Sequence, residues 1–93
     1  MKTSYDKAGD GRRLIKVVFD RQSTDAATVT VEVIYEVAFP NDFRLSENVP
    51  VLTFISATRT DTRERVILRK EESDRAQQEA AVKAVEATSN DFR

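Results

Sequence analysis

Sixteen carboxylates spread along 93 residues are the side chains that could act here as general acids, general bases or ligands for a hard cation. They are interleaved with 15 Lys and Arg, as in "DTRERVILRKEESDR", and opposite charges mixed at that spacing describe a solvated, ion-paired surface rather than a catalytic dyad. The sequence has no histidine and no cysteine. Their absence removes the commonest general base, the usual nitrogen ligand of transition metals, the thiolate nucleophile, disulfide bonds and every zinc site built on sulfur. The glycines, Gly9 and Gly11 in "DKAGDGRR", precede no Lys-Ser/Thr pair and follow no apolar strand, so they mark a flexible arm or turn rather than a phosphate loop. No catalytic residue, metal ligand or cofactor is assigned, no small-molecule substrate is expected, and the chain reads as a non-enzyme.

The elements that remain are those of a small globular domain. A chain of this length buries roughly 60 to 65% of its unfolded surface and makes one domain with a thin core. The formal net charge of −1 gives no general attraction to nucleic acid or to a membrane. No apolar run approaches the roughly 18 residues that cross a bilayer, and no apolar run follows the charged N-terminus as a signal peptide requires, so a cytoplasmic origin is expected. Residues 1–11 read as a flexible or turn-forming lead, 12–59 as sheet, and 60–93 as mainly helical.

Within the sheet, "RLIKVVF" (13–19) places Ile15, Val17 and Phe19 on one face and Leu14, Lys16 and Val18 on the other. A polar connection over 20–27 predicts an antiparallel hairpin with a second strand that starts near Thr28 and stops at Pro40. That strand sets Val29, Val31, Val33, Tyr35 and Val37 against Thr28, Thr30, Glu32 and Glu36. A proline-bracketed loop (40–50) leads to a third strand, "VLTFISATR" (51–59). Residues 61–70 fit either a fourth strand or a helix opened by Asp61 and Glu64. From Ser73 or Asp74 onward a helix is predicted, with Ala81, Val82 and Val85 as its apolar stripe and Gln78 at the margin.

An apolar sheet face of this size exceeds what one alanine-rich helix covers, and an exposed remainder would surpass the few hundred Å² usual for a monomer. A second copy is the natural cover. The sequence therefore predicts an α+β fold, an antiparallel β-sheet with a C-terminal helix or helices packing on one face across an interlocked two-fold dimer, with Val29, Val31, Val33, Tyr35, Val82 and Val85 at the interface.

The words "DRQST" (20–24), "TVTVEV" (28–33) and "VLTFISATRTD" (51–61), followed by a charged helical segment, resemble the coat proteins of levivirus-type single-stranded RNA bacteriophages. The likeness runs from residue 12 to about 70. It implies a curved antiparallel sheet, two C-terminal helices that clasp the partner's sheet, and dimers closing into an icosahedral virion shell made in the host bacterial cytoplasm. It further implies that the inner sheet face meets genomic RNA and that 61–70 is helical. By that correspondence Lys16, Thr28 and Thr30 lie inward with Val18, Asp20 and Glu32, and Arg21 and Arg59 add backbone contacts; the RNA-binding set is then Lys16, Arg21, Thr28, Thr30 and Arg59. The chain departs from the family in being shorter, in apparently lacking the N-terminal hairpin, and in presenting two acidic residues where phosphate would sit. Without the resemblance, Thr28, Thr30 and Glu32 describe an ordinary solvated sheet face. The expected role is a self-assembling capsid subunit; the alternative is a small intracellular binding module, such as a phage-encoded inhibitor of a host or defence complex.

Overall fold

The computed structural model describes residues 1–22, 27–38 and 51–91, with the side chains of 88–91 left aside. Four antiparallel strands in the order β1 (Lys2–Lys7), β2 (Arg13–Gln22), β3 (Thr28–Ala38) and β4 (Val51–Arg59) form one sheet, and helix α1 (Lys70–Asp91) packs on one face of it. The α+β arrangement expected from the sequence is the arrangement found. The interior of the polar connection at 23–26, the end of the second strand at Pro40 and the loop 40–50 lie outside the described residues.

Residues 1–11 do not form a free arm. β1 pairs with β2 along its whole length, from Lys2 opposite Val18 to Lys7 opposite Arg13, so an N-terminal hairpin is present where the sequence suggested its absence. The turn expectation at Gly9 and Gly11 holds: the Ala8 amide donates to the Arg12 carbonyl at 2.7 Å, and Gly11 takes φ +88°, where a side chain would be strained. Asp10 closes the turn by accepting from the Arg12 amide at 3.1 Å.

Burial alternates along the central strands as the period-2 pattern requires. Ile15, Val17, Val31 and Val33 are fully enclosed, with Phe19, Val29, Tyr35, Val37 and Ala57 beside them. Each such aliphatic side chain stabilises the fold by about 1.5–3 kcal/mol on burial. Opposite pairs such as Val17 and Val33, or Val33 and Ala57, stack these residues in rows across the sheet.

The helix meets this face through a different stripe from the one anticipated. Ala76, Ala80 and Ala84, four residues apart, are at most 1% exposed, whereas Val82 and Val85 point the other way and are each 54% exposed. Alanine has no bulk beyond Cβ, so a helix axis can approach the valine-rich sheet closely, and valine at those positions would hold it off.

Residues 60–69 are neither a full strand nor a helix. After a tight turn in which Arg63 adopts φ +64°, the chain makes a single bridge from Arg65 to Thr58, then crosses toward α1 with Val66 and Leu68 against the core. The helix starts at Lys70, ahead of the predicted Ser73 or Asp74: the Ser73 amide donates to the Arg69 carbonyl at 2.9 Å, and Glu72 reaches back to accept the Arg69 amide at 2.9 Å. Glu72 thereby satisfies the Arg69 amide, one of the donors that a helix start otherwise leaves open.

Candidate functional site

The strands, with the strap formed by residues 60–69, define two sheet faces and two sheet edges, and each expected site residue has a place on them. On the open face stand Lys2, Ser4 and Asp6 of β1, Leu14, Lys16, Val18 and Asp20 of β2, Thr28, Thr30, Glu32, Ile34 and Glu36 of β3, and Thr53, Ser56 and Thr58 of β4. Lys16, Thr28 and Thr30 therefore share one surface, as expected of them. Lys16 Nζ lies 3.9 Å from Glu32 Oε2, and the Thr30 hydroxyl donates to Asp20 at 2.8 Å. Arg12 reaches from the hairpin turn to Glu36 at 3.2 Å. On the sheet itself the carboxylates of Asp6, Asp20, Glu32 and Glu36 outnumber the ammonium groups of Lys2 and Lys16, so this face repels rather than tracks a phosphate chain.

Arg21 and Arg59 lie on the opposite face, apart from Lys16, Thr28 and Thr30 and not in one RNA-binding surface with them. Arg21 stands two residues beyond Phe19 on the helix side, where its guanidinium donates to Glu72 at 3.0 Å and to the Ile67 carbonyl at 3.2 Å. Arg59 pairs in register with buried Val31 and grips Asp61 through two hydrogen bonds of 3.1 and 2.9 Å. The hydrogen bonds from Arg59, aided by the Thr62 amide, hold the Asp61 carboxyl below its usual range. The strand period alone would have put both arginines on the apolar side.

Of the expected interface residues, Val29, Val31, Val33 and Tyr35 are buried beneath the chain's own helix and strap and are not offered to a partner. Val66 and Leu68 of the strap pack against the core and add cover that the helix alone does not supply. Burial raises the Tyr35 phenol above its ordinary value, and its ring meets Phe54 edge to face with centroids 6.1 Å apart. Val82 and Val85 do remain accessible.

Among the described residues, the apolar surface that is left lies on β4, on the outer side of α1, and at Met1 and Ile67. Val51, Phe54 and Ile55 are 49, 53 and 43% exposed. The register steps from Ile34 opposite Ser56 to Tyr35 opposite Phe54, so Ile55 is the extra residue of a bulge. β4 is also an edge strand. Among the described residues only its far end is paired on the outer side, through Val66 to Ala57 and Arg59 to Glu64, and Val51 to Ser56 has no outer neighbour.

A cleft of about 610 Å³ at one end of the sheet mixes Lys2, Asp20, Glu71, Glu72 and Arg75 with Val18 and Phe19, and Glu72 is already committed to Arg21 and to the helix start. Among the described residues, no three acidic side chains converge as metal ligands, and no helix is long and apolar enough to cross a membrane. Comparisons with protein-family models, with curated proteins and with solved structures found no match to this chain.

Proposed function

We propose that the protein is a self-associating structural subunit of coat type, pairing into two-fold dimers that assemble further into a shell, and that it performs no chemistry. The observation that carries this reading is the contrast between the two sheet edges. β1 presents Lys2, Asp6 and Lys7, charges of the kind that keep an edge from recruiting a stranger, whereas β4 carries no charged residue from Val51 to Thr58. An open, uncharged edge flanked by exposed Val51, Phe54 and Ile55 is suited to the same edge of a second copy. A two-fold axis there makes both strands antiparallel and buries the same residues twice.

A shell needs a second contact besides the two-fold one. Val82 and Val85, directed away from the sheet, supply an apolar strip for it on the outer side of α1. In this arrangement the helix-free sheet face of each dimer stays open as a common surface. Its acidic balance makes strong RNA binding there unfavourable, and enclosure of phage RNA would depend on cations elsewhere in the chain.

A second reading rests on a different observation. The core closes within one chain, with Ile15, Val17, Val31 and Val33 at 0% exposure, so a stable monomer could use the β4 edge to take a strand from another protein, as an inhibitory binding module would. Light scattering and electron microscopy on protein purified from an expressing cell, with absorbance at 260 nm for packaged nucleic acid, separate the two. Uniform particles support the coat reading; a monomer at every salt and concentration tried supports the module.

A further inference from the structure

The strap between β4 and α1 has a surface that the self-association reading does not use. Burial alternates along it: Val66 and Leu68 turn toward the core, while Arg65, Ile67 and Arg69 are exposed, Ile67 to 90%. Arg63 and Lys70 flank this row and are exposed as well. Among the described residues none of these four cations forms an ion pair, although the cations of Arg12, Lys16, Arg21 and Arg59 all do. Glu64 and Glu71 stand nearby and offset part of the charge, leaving a net positive strip.

The strip is also held in place. The Glu64 carbonyl accepts from the Arg59 amide and the Val66 amide donates to the Ala57 carbonyl, both at 2.9 Å. Arg21 holds the Ile67 carbonyl, and Glu72 the Arg69 amide. Like-facing residues of an extended chain recur every 6.6 Å or so, so Arg65 and Arg69, with Ile67 between them, stand roughly twice that far apart.

We infer that the Arg63–Lys70 strap is a binding strip for the sugar-phosphate backbone of a single-stranded nucleic acid, engaged without base specificity. Charge complementarity selects the polyanion, and three features select this one. Guanidinium groups fork onto phosphate oxygens in a way that an ammonium cannot. A fixed row of cations matches a ligand whose charge repeats along its length. One exposed isoleucine is too little apolar area to anchor a membrane surface. Aromatic stacking plays no part, because the strip carries no aromatic residue.

The test is a fluorescence-anisotropy titration of the full chain against a labelled oligouridylate at several salt concentrations, with anionic phospholipid vesicles as a parallel probe. The expected result is salt-sensitive binding that the triple variant Arg63→Gln, Arg65→Gln, Arg69→Gln weakens by about tenfold or more at low salt, lowering the slope of log K against log salt by about 2, while Lys16→Gln changes neither. Circular dichroism confirms that the variants fold. An unchanged slope in the triple variant, an equal loss in Lys16→Gln, or binding to vesicles with none to the oligouridylate would each overturn the assignment. Repeating the titration on Val51→Lys, Ile55→Lys separates this result from the fate of the dimer, since that variant alters the β4 edge and leaves the strap intact.

Discussion

Arg21 Nη1 lies 3.0 Å from Glu72 Oε1, with the two side chains only 25 and 15% exposed, and this one contact ties the central sheet to the first turn of the helix. The same guanidinium holds the Ile67 carbonyl, and the same carboxylate caps the Arg69 amide, so strap, sheet and helix meet at a single ion pair. Partial burial makes it a stronger contact than the exposed pairs of the open face.

Removing it should be felt. Arg21→Gln leaves Glu72 half-enclosed without its counter-charge and is expected to cost about 1–3 kcal/mol in urea unfolding. Glu72→Gln keeps an acceptor for the Arg69 amide and should cost less. A double-mutant cycle that finds no coupling between the two positions would remove the latch from the account.

The alanine stripe makes an opposite pair of expectations. Ala80→Leu forces bulk between helix and sheet and is expected to destabilise by about 1–3 kcal/mol. Val82→Ser, on the exposed side, should leave the monomer's unfolding free energy within about 0.5 kcal/mol of the parent. Equal effects at the two positions would mean that the helix is rotated relative to the face described.

Tyr35 sets the alkaline limit. Burial raises its phenol in the folded chain, so the contribution is fully present below the usual value of 10.0 and is lost as the pH rises through the higher folded value. Unfolding free energy should therefore fall as the pH passes 10, and Tyr35→Phe should flatten that fall. A Phe variant with the same alkaline slope would show that other groups control it.

Arg63 carries the one positive φ among the described non-glycine residues, at +64°. Arg63→Gly relieves the Cβ clash of the left-handed conformation but loosens the unfolded chain, and a net gain of about 0.5 kcal/mol is expected in thermal or urea unfolding. A clear loss would show that the arginine side chain stabilises the turn.

What the sequence disclosed follows from the strength of each local signal. Alternating Val29, Val31, Val33, Tyr35 and Val37 named the buried face of β3 correctly, because register and burial share one period. β1 escaped notice because "KTSYDK" offers only Thr3 and Tyr5 to the inner side, both half-buried, and a polar edge strand has little pattern to detect. The helix face was misassigned for a physical reason: valine outranks alanine in hydrophobicity, but close approach to a sheet rewards the smaller residue. Arg21 and Arg59 were legible by parity, two residues beyond Phe19 and Ala57. The lack of an outer neighbour for Val51 to Ser56 among the described residues could not be read at all, since which strand lies outermost is settled by pairing and not by composition.

The central claim is that the uncharged edge of β4 joins two copies. Its most direct test is the solution mass, by light scattering across a range of concentrations, of the parent chain and of Val51→Lys, Ile55→Lys, which puts two cations on that edge at exposed positions. A dimer or larger assembly is expected for the parent and a folded monomer for the variant. A parent that stays monomeric at every concentration, or a variant that assembles as the parent does, would contradict it.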